Sequence, residues 1–185
     1  MGDPGGQSPG RSTLEAVVTG KSDADVEAAV RQALDHYGVA YGAIPCDPRF
    51  ADTAAFCQRY GVAPEDSANT IIVVGKAEPR RYVACVVLAT TKLDVNGAVR
   101  RRLGVRKASF ASSDETRVLT GMMIGGVTPF ALGPGMPLWV DARVVERDAV
   151  VLGGGSRSLK VRLSPDVFRA MANAEIVPSL AVPAG

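Results

Sequence analysis

The sequence predicts an α/β fold: a mixed, largely antiparallel sheet with helices packed around it. Three observations point there. Segments rich in Val and Ile sit only a few residues apart, too close for the crossovers of a dozen or more residues that parallel neighbours require. Amphipathic segments bounded by helix caps are interspersed among them. The chain has 185 residues, 46% hydrophobic and 22% charged, which is the composition and length of one soluble globular domain.

Residues 1–20 open with "MGDPGGQSPGRS", rich in Gly, Pro and Ser, and read as a flexible tail. Residues 21–185 read as a single domain. "SDADVEAAVRQALDHYG" predicts a helix: Ser22 caps it, acids fill its first turn and Gly38 ends it. Val26, Val30, Leu34 and Tyr37 recur at helical spacing along one face. "VAYGAIPCD" predicts a short strand, and "DTAAFCQRYG" a second helix ending at Gly61. "NTIIVVGK" and "RRYVACVVLA" predict two strands in an antiparallel hairpin. "LDVNGAVRRRLGVRKASF" predicts a helix capped by Asp94 and closed at Gly104, then a short strand. In "SSDETRVLTG", Ser112 and Glu115 stand three apart as a capping box, and Gly121 closes that helix. "PLWVDA", "AVVLGGG" and "LKVRL" predict three more strands. "SPDVFRAMANA" predicts a closing helix, with Ser164 as cap and Pro165 at its first position.

Several functions are disfavoured at once. A net charge of +2 creates no strong global field, so nucleic-acid binding would need a local patch. The only histidine, His36, cannot build a His-rich metal site or a Ser-His-Asp triad, and reads as a surface residue at a helix C-terminus. Cys46, Cys57 and Cys85 lie in apolar sequence without Cys-x-x-Cys spacing and read as buried free thiols of a reducing, cytoplasmic compartment. The longest apolar run, "YVACVVLA", is far short of the ~20 residues of a membrane span. Phosphate-loop, dinucleotide and nucleophile-elbow signatures are missing.

Two stretches carry more information. "VRRRLGVRK" gathers Arg100, Arg101, Arg102, Arg106 and Lys107 at and beyond a helix C-terminus. These cations either complement the helix dipole or contact phosphates of a tRNA, and the sequence leaves both open. "TGMMIGGVTPFALG" interrupts apolar material with Gly125, Gly126 and Pro129. That costs chain entropy and a backbone donor, so it marks a tight corner or a loop shaped to meet a ligand.

The order of "CDPRFADTAAFCQRYGV", "ANTIIVVG", "LDVNGAVRRRLGVRKASFAS", "TGMMIGGVTPFAL", "LWVDA" and "GGGSRSLKVRL" resembles the YbaK/EbsC family of aminoacyl-tRNA deacylases, relatives of the editing domain inserted in bacterial prolyl-tRNA synthetases. The resemblance spans residues 22 to 180. Its sharpest element is the Gly-x-x-x-Pro motif, Gly125 to Pro129. It implies a YbaK-like sheet and hydrolysis of the ester on a mischarged tRNA, with no metal or organic cofactor. It leaves an aminoacyl-tRNA synthetase as a further partner to be considered. By this resemblance Gly125 and Gly126 present backbone N–H groups to the ester oxyanion, and Thr128, Pro129, Gly155 and Ser156 lie along the pocket; Phe56, Met123 and Phe130 are candidate walls on apolar character alone.

One departure is clear. Most deacylases of this family carry a lysine at the start of the first hairpin strand, where this chain has Asn69 in "SANTIIVV". Asparagine offers amide donors and an acceptor without charge. It could orient a water or a ribose hydroxyl, with Lys76 or Lys92 as candidate substitutes for the missing cation. Three readings follow: a deacylase using Asn69, a binding module on the same fold that holds an aminoacyl end, an amino acid or a protein partner without hydrolysis, or hydrolysis of a different small ester or amide.

Overall fold

The computed structural model describes residues 21–133 and 135–184; the expected N-terminal tail lies outside them. Helix α1 (Asp23–His36) begins as the sequence dictates: the Ser22 hydroxyl accepts the Asp25 N–H while the Asp25 carboxylate accepts the Ser22 N–H. Its apolar stripe buries Val26, Val30 and Leu34. Strand β1 (Tyr41–Pro45) follows, then α2 (Thr53–Tyr60), which buries Phe56 and Cys57 and ends at Gly61 in the left-handed conformation.

The hairpin of β2 (Ala68–Gly75) and β3 (Arg81–Leu88) is the centre of the molecule. It pairs antiparallel from Ala68↔Leu88 to Gly75↔Arg81. Strand β4 (Thr91–Leu93) then leads into a π turn (Val95–Val99) and one turn of helix, α3 (Arg100–Leu103), closed by left-handed Gly104. The Asp94 carboxylate accepts from the N–H groups of Gly97 and Ala98, so the expected cap is present, although the helix beyond it is shorter and wider-wound than its sequence suggests. After β5 (Ala108–Phe110), α4 (Ser113–Thr120) shows the expected Ser112–Glu115 capping box and left-handed Gly121.

Strands β6 (Leu138–Asp141), β7 (Val150–Gly153) and β8 (Leu159–Leu163) fall where expected. The C-terminal region departs from expectation. Only Val167–Ala170 is helical, as α5, and Ser164 binds Asp166 locally instead of capping a long helix. Met171 is extended, and the chain continues into β9 (Ala174–Val177) and β10 (Ala181–Pro183). Parallel pairing of β9 with β6 overrides the helical preference of the "FRAMANA" stretch, as tertiary context often does.

The strands form a five-stranded sheet in the order β5-β2-β3-β6-β9, a three-stranded sheet β1-β8-β7 and a pair β10-β4. Only β3/β6 and β6/β9 are parallel. The fold is thus mixed and largely antiparallel, as the strand spacing predicts. One core lies under α1 and includes Ile72, Val86, Leu138 and Val161; a second, around Val73, Val99 and Trp139, lies under α3. All three cysteines are buried and free, and burial pushes the Cys85 thiol up to about 12. His36 is exposed in the last turn of α1.

Candidate functional site

Strand β2 has one incomplete edge. It pairs with β5 only from Val73 to Gly75, and a single parallel bridge joins Ser67 to Val151 of β7. A cavity of about 340 Å³ opens beside the stretch between them. Ala68, Ile72, Ala111, Val127 and Leu152 give it apolar walls. Asn69, Thr53, Asp52, Gly125 and Lys160 give it a polar side. Phe110 and Ile124, both about half exposed, stand at its rim.

Lys160 dominates the polar side. It rises from β8, is 6% exposed, and donates from Nζ to the carbonyls of Ala51 and Gly125, each at 2.7 Å. The ammonium also lies 5.4 Å from the centroid of the Phe56 ring, a favourable cation–π placement. Burial lowers its pKa from the ordinary lysine value. An ammonium has three donors, and two partners are present among the described residues, so one N–H is left for a ligand. Across the cavity the Thr53 hydroxyl donates to Asn69 Oδ1, a short contact that fixes the amide and directs its Nδ2 donors elsewhere.

The Gly125–Pro129 loop is held from behind. Arg157 donates to the carbonyls of Ile124 (2.6 Å) and Pro48 (2.9 Å) and pairs with Asp52 at 3.2 Å. Gly125 has φ +93°, and a Cβ there would run into the Arg157 guanidinium. Gly126 faces the other way. Its N–H donates to Met123 O, its carbonyl accepts from Gly155 N–H, and a Cβ would lie 2.5 Å from the Ser156 backbone. The N–H expected of Gly126 as oxyanion donor is therefore taken by the Met123 carbonyl within the same turn, while its carbonyl and Cα pack on the Gly155–Ser156 backbone.

Of the residues the sequence singled out, Asn69, Gly125 and Phe56 line the cavity. The others are elsewhere. Met123 is half exposed outside it. Thr128, Pro129 and Phe130 are buried away from the cavity, with Phe130 stacked on Phe168. Gly155 packs on Val26 of α1, and the Ser156 hydroxyl binds Glu27 and accepts from Ser158 N–H. Lys76 and Lys92 are exposed and do not line the cavity. The cation that does is Lys160, which the sequence does not single out because "SLKVRL" reads as an ordinary alternating strand. Alternation with Leu159, Val161 and Leu163 places it on the outward face beside Arg162, so the sequence carries no signal for its burial. Among the described residues no cluster of potential metal ligands occurs, and no helix is long and apolar enough to cross a membrane.

Residues 47–171 match the model of the aminoacyl-tRNA editing domain. This chain belongs to that family. The span includes α2, the β2–β3 hairpin, the Gly125–Pro129 loop and β8, so every polar residue of the cavity falls within it. Solved structures agree on the fold. The hypothetical protein APE2540 superposes with a TM-score of 0.72 at 24% identity, over 81% of this chain and 97% of its own. A proposed trans-editing enzyme for prolyl tRNA synthetase superposes with a TM-score of 0.71 at 21% identity, over 86% of this chain and 98% of its own. These likenesses support the YbaK-like fold read from the sequence.

The basic run of this editing domain divides into committed and exposed residues. Arg100 Nε donates to Asn96 O at 2.7 Å. Arg102 pairs with Glu175 and lies 5.1 Å from the centroid of the Trp139 ring. Arg101, Arg106 and Lys107 are exposed. Phe110, at the cavity rim, follows Lys107 by three residues along β5.

Proposed function

We propose that this chain is a trans-acting aminoacyl-tRNA deacylase that hydrolyses the ester of a mischarged tRNA. One observation carries the reading: a buried ammonium, a fixed amide and the Gly125 loop surround a single cavity with apolar depth. The volume is at the low end of the ~300–1,000 Å³ usual for small-molecule sites, which suits an amino acid better than a larger acyl group.

The ester carbonyl lies against Lys160, whose remaining N–H and positive charge stabilise the oxyanion formed on attack. Asn69 donates from Nδ2 to a water or to the terminal ribose hydroxyl and holds it against the carbonyl carbon. The water oxygen bonds to that carbon, the bond from carbon to the ribose oxygen breaks, and the proton of the water ends on the ribose oxygen. Free amino acid and deacylated tRNA result, with no covalent enzyme intermediate. The exposed cations Arg101, Arg106 and Lys107 hold tRNA phosphates leading to the cavity. The setting for this reaction is the cytoplasm, with the synthetase that made the error as a candidate partner.

The test is a deacylation assay on tRNAs charged with Ala, Cys, Ser, Thr and Pro, with wild type beside Lys160→Met. Release of an amino acid above the spontaneous rate, lost in the variant, is the expected result. No release from any substrate overturns the deacylase and leaves the binding module.

A further inference from the structure

We propose that Arg157 is a positioning residue of the reaction: by gripping the Ile124 carbonyl it turns the Ile124–Gly125 peptide so that the Gly125 N–H meets the ester carbonyl beside Lys160. This rests on the deacylase reading above and gives a role in it to a side chain that does not itself line the cavity.

Arg157 lies in the turn between β7 and β8, just ahead of Lys160. Its guanidinium reaches three segments. Nη1 donates to Ile124 O at 2.6 Å and to Asp52 Oδ1 at 3.2 Å, and Nη2 donates to Pro48 O at 2.9 Å. Lys160 joins the same two walls through Ala51 O and Gly125 O. Two cations thus hold successive carbonyls of one loop, Arg157 that of Ile124 and Lys160 that of Gly125.

The consequence for Gly125 follows from the peptide plane. The only cis peptide bond among the described residues is Glu78–Pro79. The Ile124–Gly125 bond is therefore trans, and its N–H points opposite to its C=O. With the carbonyl turned to Arg157, the Gly125 N–H points away from the guanidinium. It has no acceptor among the described residues, whereas the next N–H, that of Gly126, is taken by Met123 O. Gly125 lines the cavity, and an unpaired backbone donor there is placed to receive a developing oxyanion. A charged donor on the carbonyl also polarises the peptide and strengthens its N–H. A Cβ at position 125 would run into the Arg157 guanidinium, so the loop keeps this grip only with glycine there.

The test is steady-state deacylation by the whole protein, on whichever of the Ala-, Cys-, Ser-, Thr- and Pro-charged tRNAs the wild type hydrolyses. Arg157→Gln removes the charge and the fork. Its kcat should fall at least ~10-fold, since the donor it misdirects acts on the transition state. KM should stay within about twofold, because ground-state binding is spared. Burial is the main cause of the lowered Lys160 pKa; the Arg157 charge lowers it further, against Cys46, Asp52 and Cys57. The alkaline limb of the rate profile should therefore move to higher pH in Arg157→Gln, a shift that lost packing alone does not produce. Arg157→Lys keeps the charge but cannot serve three segments from one nitrogen. Its kcat should fall at least ~3-fold, with the alkaline limb where the wild type has it.

A folded Arg157→Gln with a smaller fall in kcat, with its loss in KM, or with an unmoved alkaline limb overturns the inference and leaves the deacylase intact. If that variant does not fold, Arg157→Lys decides, and wild-type kcat in it overturns the inference. No release from any charged tRNA by the folded wild type overturns both.

Discussion

Lys160 Nζ and the carbonyl oxygen of Gly125 lie 2.7 Å apart, joining β8 to the Gly-x-x-x-Pro loop across the cavity. The same ammonium holds the carbonyl of Ala51, just ahead of α2. One charge therefore fixes two walls of the site and faces the space between them. The resemblance to YbaK-like deacylases implies a lysine on β2. Here the cation comes from the sheet on the other side of the cavity, and β2 presents Asn69.

Replacing Lys160 with Met should separate activity from stability. Oxyanion donors contribute about 10²–10³ in rate, so the deacylation rate should fall at least 100-fold. Stability responds to opposing effects. Two carbonyls lose their donor, at about 1–3 kcal/mol for each group left unsatisfied, while removal of a buried charge recovers a desolvation cost. The net change should stay within about 3 kcal/mol, measured by urea unfolding. A folded Lys160→Met protein with wild-type activity sinks the proposed role.

The same lysine sets two pH dependences of opposite sign. Burial lowers its folded-state pKa below that of the unfolded chain. Activity that needs the ammonium should decline as pH rises through that lowered value, at a pH where an exposed lysine is still charged. Stability should do the reverse. Between the folded and unfolded values the unfolded chain holds more protons, so the contribution of Lys160 to stability rises with pH and is lost as pH falls through the folded value. Subtracting the Lys160→Met profiles from those of the wild type isolates both slopes. Parallel slopes in activity and stability would count against this assignment.

Asn69→Lys tests whether the cation can change sides. In the wild-type background it places a second positive charge on the cavity and removes the amide held by Thr53; like charges so close disfavour each other. Activity should drop about tenfold or more. In the Lys160→Met background the same change should recover part of the lost rate, because only one cation is then present. Equal effects of Asn69→Lys in both backgrounds, in a double-mutant cycle of deacylation rates, would show that the two positions do not share a site.

Much of this was legible in the sequence, and the exceptions have physical causes. Caps and strand spacing act locally, so Ser22, Asp94 and Ser112 were readable as caps and β2–β3 as a hairpin. The closing helix was misread because pairing of β9 with a distant β6 competes with local helical preference. Phe56, Asn69 and Gly125, singled out in the sequence, line the cavity. Gly155 and Ser156, expected at the pocket from the family resemblance, and Phe130, expected there from its apolar character, make other contacts: Gly155 with Val26, Ser156 with Glu27 and Phe130 with Phe168. Lys160 escaped because a strand sequence does not reveal which side faces a cavity.

Gly126→Ala should act on stability. Its Cβ would lie 2.5 Å from backbone atoms of Ser156, which cannot swing aside as a side chain can. Overpacking of this kind costs about 1–3 kcal/mol, occasionally more, or roughly 2–4 °C in Tm per kcal/mol for a chain of this size. The denaturant midpoint should fall with little change in the m-value. An unchanged midpoint together with lost deacylation would return Gly126 to the substrate side of the loop.

The basic run should separate by the same logic of commitment. Arg102 is tied to Glu175 and Trp139, so Arg102→Gln should cost up to about 1 kcal/mol of stability and leave tRNA affinity nearly unchanged. Arg101, Arg106 and Lys107 are exposed, and phosphate contacts made by such residues release counterions from the nucleic acid. Each contact contributes roughly 0.7–0.9 to the slope of log affinity against log salt. Changing all three to Gln should flatten that slope by about two, measured by fluorescence anisotropy with labelled tRNA over a salt series. A slope the same in the triple variant as in the wild type would assign these residues to the solvated face of α3 and the turn after it, and the tRNA path would have to be sought on another side of the cavity.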